Sequence, residues 1–214
     1  MRKTAEDAAR TRRTVLEAAL FCFAEDGWDR STLEGIGRRV GLTRGAVCHH
    51  FRDKRTLLQA VLAEGWATQS ERLLAPLLDG SLPPRQRLTG FVGNYLTRLR
   101  DDPSMRALAI VTTLVAPNTR GPDDDRDDHR RGMDEWRTLL GDVLGECRLR
   151  PDVTRDHAVF GLLALVTGAT LEASVDAGQL PTGSAPVAVA EAAVRGLLAE
   201  DDRRLHRTRT PRSD

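Results

Sequence analysis

The stretch TRGAVCHHF, residues 43–51, puts Cys48, His49 and His50 in consecutive positions. Thiols and imidazoles hold zinc, or pair as a nucleophile with its base, so metal binding and covalent catalysis are the first chemistries to weigh. Both fail on geometry. Neighbouring residues of a helix point about 100° apart, and a helix that binds metal spaces its ligands four residues apart. Two other stretches imitate chemical motifs. GIGRRVG, residues 35–41, has the glycines of a nucleotide loop without the strand before it or the spacing. DDDRDDH, Asp123–His129, has acidic side chains without the order of a calcium loop and reads as a solvated acidic loop. No catalytic residue, metal site or cofactor is expected, and the chain is not read as an enzyme.

What remains for residues 43–51 is a surface, and the surrounding elements say of what kind. Apolar residues at helical spacing predict a first helix over 6–26 that ends at Gly27. STLE, Ser31–Glu34, has capping-box spacing and opens a short helix carrying Leu33, Ile36 and Val40. Gly41 supplies a turn, Thr43 caps a helix running to His50, and Asp53 caps a fourth helix through Trp66. Pro84 and Pro103 open two more, the second ending before Pro117. NTRGPDDDRDDH forms a polar loop, and helices then run from Met133 to Cys147, from beyond Pro151 to Gly178, and over 187–198. The tail RRLHRTRTPRSD reads as disordered. The fold class is therefore all-α, with about nine helices. The divisions are 1–55, 56–203 and a tail over 204–214.

Composition narrows the setting. The 214 residues are enough for a sizeable core. Three widely spaced cysteines, Cys22, Cys48 and Cys147, form no disulfide framework and fit a reducing cytoplasm. The charged opening MRKTAEDAARTRR resembles no signal peptide, and the apolar run from Val159 is too short to span a bilayer, so no membrane partner is expected. Residues 1–55 hold 12 Lys+Arg against 8 Asp+Glu, and the rest holds 20 against 23. A basic first quarter sits on an acidic body.

Two short helices joined at Gly41 and backed by a longer one make a helix-turn-helix. Its second helix would turn Thr43, Arg44, Gly45, Ala46 and His49 outward, with Val47 and Phe51 inward. Small residues at 45 and 46 permit close approach to a major groove, where Arg44 can pair with a guanine edge. The stretch TRRTVLEAALFCFAEDGWDRSTLEGIGRRVGLTRGAVCHHFRDKRTLL closely resembles the N-terminal domain of the TetR family of transcriptional regulators. RKTAEDAARTR looks most like the AcrR-type multidrug-efflux repressors.

The resemblance implies roles at matching positions. Thr32, His50 and Lys54 would hold phosphates, Arg44, Gly45, Ala46 and His49 would face bases, and Arg2, Lys3 and Arg10 would form a basic arm. Two positions depart from the family pattern. Cys48 stands where a phosphate-binding tyrosine is usual, and Gly37 stands where alanine is usual. Cys48 is either a substitution that weakens DNA binding or a thiol that senses oxidants or alkylators at the DNA surface.

For the body, the resemblance implies a ligand cavity within the fourth to seventh helices and a homodimer through the last two. Phe91, Tyr95, Met105, Ile110, Met133, Trp136, Leu140, Leu163 and Thr167 are the pocket candidates, and they suit a hydrophobic effector. Gly161, Ala164, Gly168, Ala169, Ala190, Ala193 and Gly196 are small enough for packing across a two-fold axis. The expected protein is a cytoplasmic, homodimeric repressor that binds a palindromic operator in double-stranded DNA and is released by a hydrophobic small molecule. Two alternatives use the same residues: a helical ligand-binding protein that has lost specific DNA binding, and a transcriptional activator.

Overall fold

The structure is a computed structural model describing residues 5–119 and 127–199, side chains 127–133 excepted. Among the described residues the elements are α1 (Ala5–Arg30), α2 (Leu33–Arg39), α3 (Arg44–His50), α4 (Lys54–Leu78), α5 (Pro84–Asp101), α6 (Pro103–Ile110), α7 (Asp127–Gly145), α8 (Arg155–Asp176) and α9 (Ala185–Leu197). The only strand-like pairing there is an isolated antiparallel bridge between Leu149 and Leu198. The all-α class holds. Pocket candidate Met133, Arg2 and Lys3 of the arm, the 204–214 tail and most of the acidic stretch lie outside the described residues or side chains.

Local chemistry sets most helix starts. The hydroxyl of Thr43 accepts from Ala46 N at 3.2 Å, and the Asp53 carboxylate accepts from Thr56 N at 2.8 Å. Asp102 caps α6 through Met105 N at 2.9 Å, with Pro103 at the first position. The capping box at Ser31 is displaced by one residue. Thr32 is the cap of α2, accepting from Gly35 N at 3.0 Å. Ser31 is buried instead, and its hydroxyl lies 2.7 Å from Gly27 O and 3.2 Å from Cys22 O. Its single proton is thus shared where α1 breaks at Gly27, whose φ is +74°, with the Gly27 carbonyl the nearer acceptor.

The sixth helix also differs from expectation. It gives way at Val111 to a π-helical turn, Val111–Val115, and then to a 3-10 turn, Ala116–Thr119, that contains Pro117.

Buried side chains form two clusters. The first joins α1, α2 and α3 to Leu57, Leu58 and Val61 of α4 and to Ala107, Leu108 and Val111. Its packing therefore continues past residue 55. The second fills the body between α4, α5, α7, α8 and α9. Gly65 lets α6 cross α4 closely, since a Cβ there would stand 2.7 Å from Leu108 Cδ1. Trp66 packs against both clusters.

Two expectations for α8 and α9 need correction. Arg155–Gln179 is long and apolar enough to cross a membrane by length and composition, because the helix extends well beyond the apolar run from Val159. In this fold one face of it, with Val159, Leu162, Val166 and Ala173, is buried in the body core. Phe160, Leu171 and Val175 are exposed on the other face, and Val187 and Val189 are exposed on α9. Ala190, expected to face a second subunit, is fully buried within the chain, in contact range of Gly93 on α5.

Candidate nucleic-acid interface

The geometry of α2 and α3 is set from within. Gly41, at φ +70°, turns the chain between them, and Leu42 N returns to Gly37 O at 2.8 Å. Gly37 allows this closure, since a Cβ there would meet Leu42 O at 2.9 Å and Val47 Cγ2 at 3.0 Å. The family's alanine would not fit this turn unchanged. Val47 and Phe51 are buried as expected, and Ile36 packs in the same cluster.

Three ties fix the pair to the longer helices. Arg39 of α2 grips Glu25 of α1 with two bonds of 2.6 and 3.1 Å, and lies 3.8 Å from Cys22 Sγ. This pairing holds the Glu25 carboxyl below its usual range. Arg12 of α1 lies over the Phe51 ring, 5.2 Å from its centroid, and pairs with Glu64 of α4. Lys54 donates to Trp28 O at 2.7 Å and Ser31 O at 2.9 Å, with its ammonium 4.1 Å from the Trp28 ring centroid. Burial lowers the Lys54 pKa. Expected from the resemblance to hold phosphate, Lys54 thus has two of its three protons committed inside the domain.

What α3 offers outward is compact. Thr43, Arg44, Gly45, Cys48 and His49 are exposed, while Ala46 and His50 are half-buried. The His49 and His50 rings meet edge to face at 5.3 Å. No group of three potential ligands is placed for a metal among the described residues. Thr32 and Thr43 accept from their helices and so keep a hydroxyl proton for an outside acceptor.

Among the surface arginines, Arg38 pairs with Glu34 at 3.0 Å and Arg52 with Asp53 at 3.1 Å. Arg10 of the arm pairs with Asp7 at 3.1 Å. Arg44 has no ion pair or hydrogen bond among the described residues. It also occupies the first turn of α3, where the helix dipole disfavours a cation. An unpaired guanidinium beside Gly45 suits an external acceptor.

The body candidates behave differently. Phe91, Tyr95, Met105, Trp136, Leu140 and Leu163 are buried in one cluster, packed on one another, and Ile110 is half-buried. Thr167 is exposed, about a quarter turn from the buried stripe of α8. The inward hydroxyl is that of Thr170, fully buried and 2.6 Å from the Tyr95 hydroxyl. Sequence reasoning missed Thr170, Trp66, Ser31 and the grip of Arg39 on Glu25. Only Trp66, a large aromatic at the middle of its helix, carried a visible signal.

Comparison with known proteins agrees with this geometry. Residues 15–61 match the model of the family described as bacterial regulatory proteins, tetR family. The chain is 50% identical over 62 residues to the transcriptional regulator SrpR of Pseudomonas putida, covering 29% of each chain. It is 34% identical over 110 residues to the transcriptional repressor AcnR of Corynebacterium efficiens, covering 49% of this chain and 58% of that one. These matches thus span less than two thirds of either relative.

Similarity of fold extends further. NalD of Pseudomonas aeruginosa, a secondary repressor of a multidrug efflux pump, superposes with a TM-score of 0.69 at 26% identity. That match covers 90% of this chain and 98% of NalD. SmeT, an efflux-pump repressor of Stenotrophomonas maltophilia, shares the fold at a TM-score of 0.67 and 23% identity, over 88% and 91% of the two chains. The chain carries the helix-turn-helix domain of the tetR family of bacterial regulatory proteins.

Proposed function

We propose that the protein is a cytoplasmic, homodimeric transcriptional repressor that binds a palindromic operator through paired α3 helices and is released by a hydrophobic small molecule. The observation that carries this reading is the α3 surface. An unpaired Arg44 stands at the helix start beside Gly45, with Thr43 and Thr32 holding free hydroxyl protons on a frame tied by Arg39, Arg12 and Lys54. Guanidinium and hydroxyl donors in that arrangement suit base edges and phosphates respectively. The likeness to NalD, a repressor of a multidrug efflux pump, supports repression.

The exposed apolar residues Phe160, Leu171, Val175, Val187 and Val189 support pairing of two copies through α8 and α9. In the pair, the effector must favour the conformation whose α3 helices no longer match successive major grooves. Residues 1–55 would serve DNA and 56–203 the effector and the dimer. The test is retention of sheared DNA from the source genome at two salt concentrations. Enrichment of a two-fold symmetric sequence supports the reading, whereas only diffuse, salt-sensitive retention favours a ligand-binding protein without an operator.

A further inference from the structure

The ammonium of Lys54 belongs to one helix by sequence and serves the end of another. Lys54 is the first residue of α4, where the helix dipole disfavours a cation. It reaches back to the end of α1, donating to Trp28 O at 2.7 Å and to Ser31 O at 2.9 Å, and lies 4.1 Å from the centroid of the Trp28 ring. That ring stacks at 5.8 Å on Phe23, which is fully buried, so the face under the ammonium is held by the core. Carbonyls at a helix C-terminus and an aromatic face both favour a cation.

The bond to Ser31 O matters most for DNA. Ser31 O and Thr32 N share one planar peptide unit, so the bond from Lys54 fixes the plane from which Thr32 projects. The Ser31 side chain holds the same corner from within, its hydroxyl 2.7 Å from Gly27 O. Thr32 in turn accepts from Gly35 N at 3.0 Å, which leaves its hydroxyl proton for an outside acceptor. Cys48 stands where the resemblance implies a phosphate-binding tyrosine, so more of the phosphate contact falls to Thr32.

We propose that Lys54 is a positioning residue for DNA binding and not a phosphate ligand: its ammonium locks the peptide between Ser31 and Thr32 and so aims the Thr32 hydroxyl at the DNA backbone. This rests on the DNA-binding reading above and reassigns a residue that the resemblance places on phosphate. The interface then takes no counterion-releasing charge from Lys54.

The test uses the full-length protein and two duplexes, one carrying the sequence that the wild type selects from random DNA and one of mixed sequence. Binding is titrated at several salt concentrations, with circular dichroism confirming that each variant is folded at the binding temperature. Lys54→Met is expected to weaken binding roughly tenfold with the salt slope unchanged, whereas losing a lysine from phosphate lowers the slope by about one per subunit. Thr32→Ala is expected to weaken binding by a similar factor. Adding Lys54→Met to it is expected to cost less than about twofold more, because the two residues act through one contact. A second measurement needs no variant to fold in place of the wild type. Lys3 and Lys54 are the only lysines, so isotope-labelled lysine gives two ammonium signals, and the Lys54 signal is expected to stay in place when DNA is added. A reduced salt slope, multiplied losses in the double variant, wild-type affinity in Lys54→Met, or a Lys54 signal that moves with DNA each overturns the proposal. Failure of the wild type to bind either duplex removes the regulator reading and this proposal with it, whereas wild-type binding with any of those results counts against this proposal alone.

Discussion

The indole nitrogen of Trp66 donates to the Thr112 hydroxyl at 2.9 Å, and that hydroxyl donates to Leu108 O at 2.7 Å. Trp66 packs against both buried clusters, and Thr112 lies in the π-helical turn, a distortion common at functional sites. The bond therefore joins the aromatic cluster around Trp136 to the turn whose Val111 and Val115 pack in the core of α1, α2 and α3. Thr112→Val is expected to lower unfolding free energy by about 1 kcal/mol, as is typical of a part-buried neutral hydrogen bond. A double-mutant cycle with Trp66→Phe in urea should give a coupling of about 0.5 to 1.5 kcal/mol. Additive losses would mean that the contact carries no energy.

Ser31 closes the break in α1. Ser31→Ala leaves Gly27 O and Cys22 O without its hydroxyl, and should cost about 1 to 3 kcal/mol in denaturant unfolding. Ser31→Thr keeps the hydroxyl but adds a methyl where the side chain is 3% exposed, so only partial recovery is expected. Alanine equal to wild type would refute this role.

Asp53 gives the domain an acid limit. Hydrogen bonds from the Thr56 backbone and side chain, with a smaller contribution from Arg52, hold its pKa at about 2, against 3.8 for an ordinary aspartate. The folded pKa is the lower one, so the stabilisation is present above about pH 4 and is lost as pH falls through about 2. The side chain is 43% exposed, and solvent screening reduces the contribution to on the order of 1 kcal/mol. Asp53→Ala should lose about that much at neutral pH and show a shallower fall in Tm between pH 4 and 2.

Gly37 tests whether the turn is tuned to this chain. Alanine in a helix interior ordinarily gains about 1 kcal/mol over glycine. Here its Cβ meets the Leu42 carbonyl at 2.9 Å, so backbone must move. Gly37→Ala is expected to show no gain in Tm, and a full gain would show that the turn relaxes freely.

Most helix starts were legible because their signals are local. Thr43, Asp53, Pro84 and Pro103 mark helix starts by chemistry confined to one turn, and Val47 and Phe51 follow from helical phase. Ser31 was misread because its hydroxyl answers carbonyls four and nine residues earlier, which spacing alone does not reveal. The body residues were legible as apolar but not as a site. Whether Phe91, Tyr95 and Trp136 surround a cavity or fill it depends on how α5 and α7 pack. Thr167 and Thr170 are equally plausible in sequence, and the phase of α8 decides between them.

Cys48 is exposed on α3 where the family pattern has a phosphate-binding tyrosine. Cys48→Tyr is expected to tighten operator binding by about 1.5 to 3 kcal/mol per subunit without altering the salt slope, since no cation is added. A steeper slope would mean that the residue acts by another route.

The most direct test of the account is selection of bound sequences from random duplex DNA by the wild type and by Arg44→Ala. The account predicts a two-fold symmetric motif for the wild type, with Arg44→Ala losing the preference at one base pair of each half-site, a cost of about 1 to 3 kcal/mol. No symmetric motif from the wild type, or an identical motif from Arg44→Ala, would contradict it.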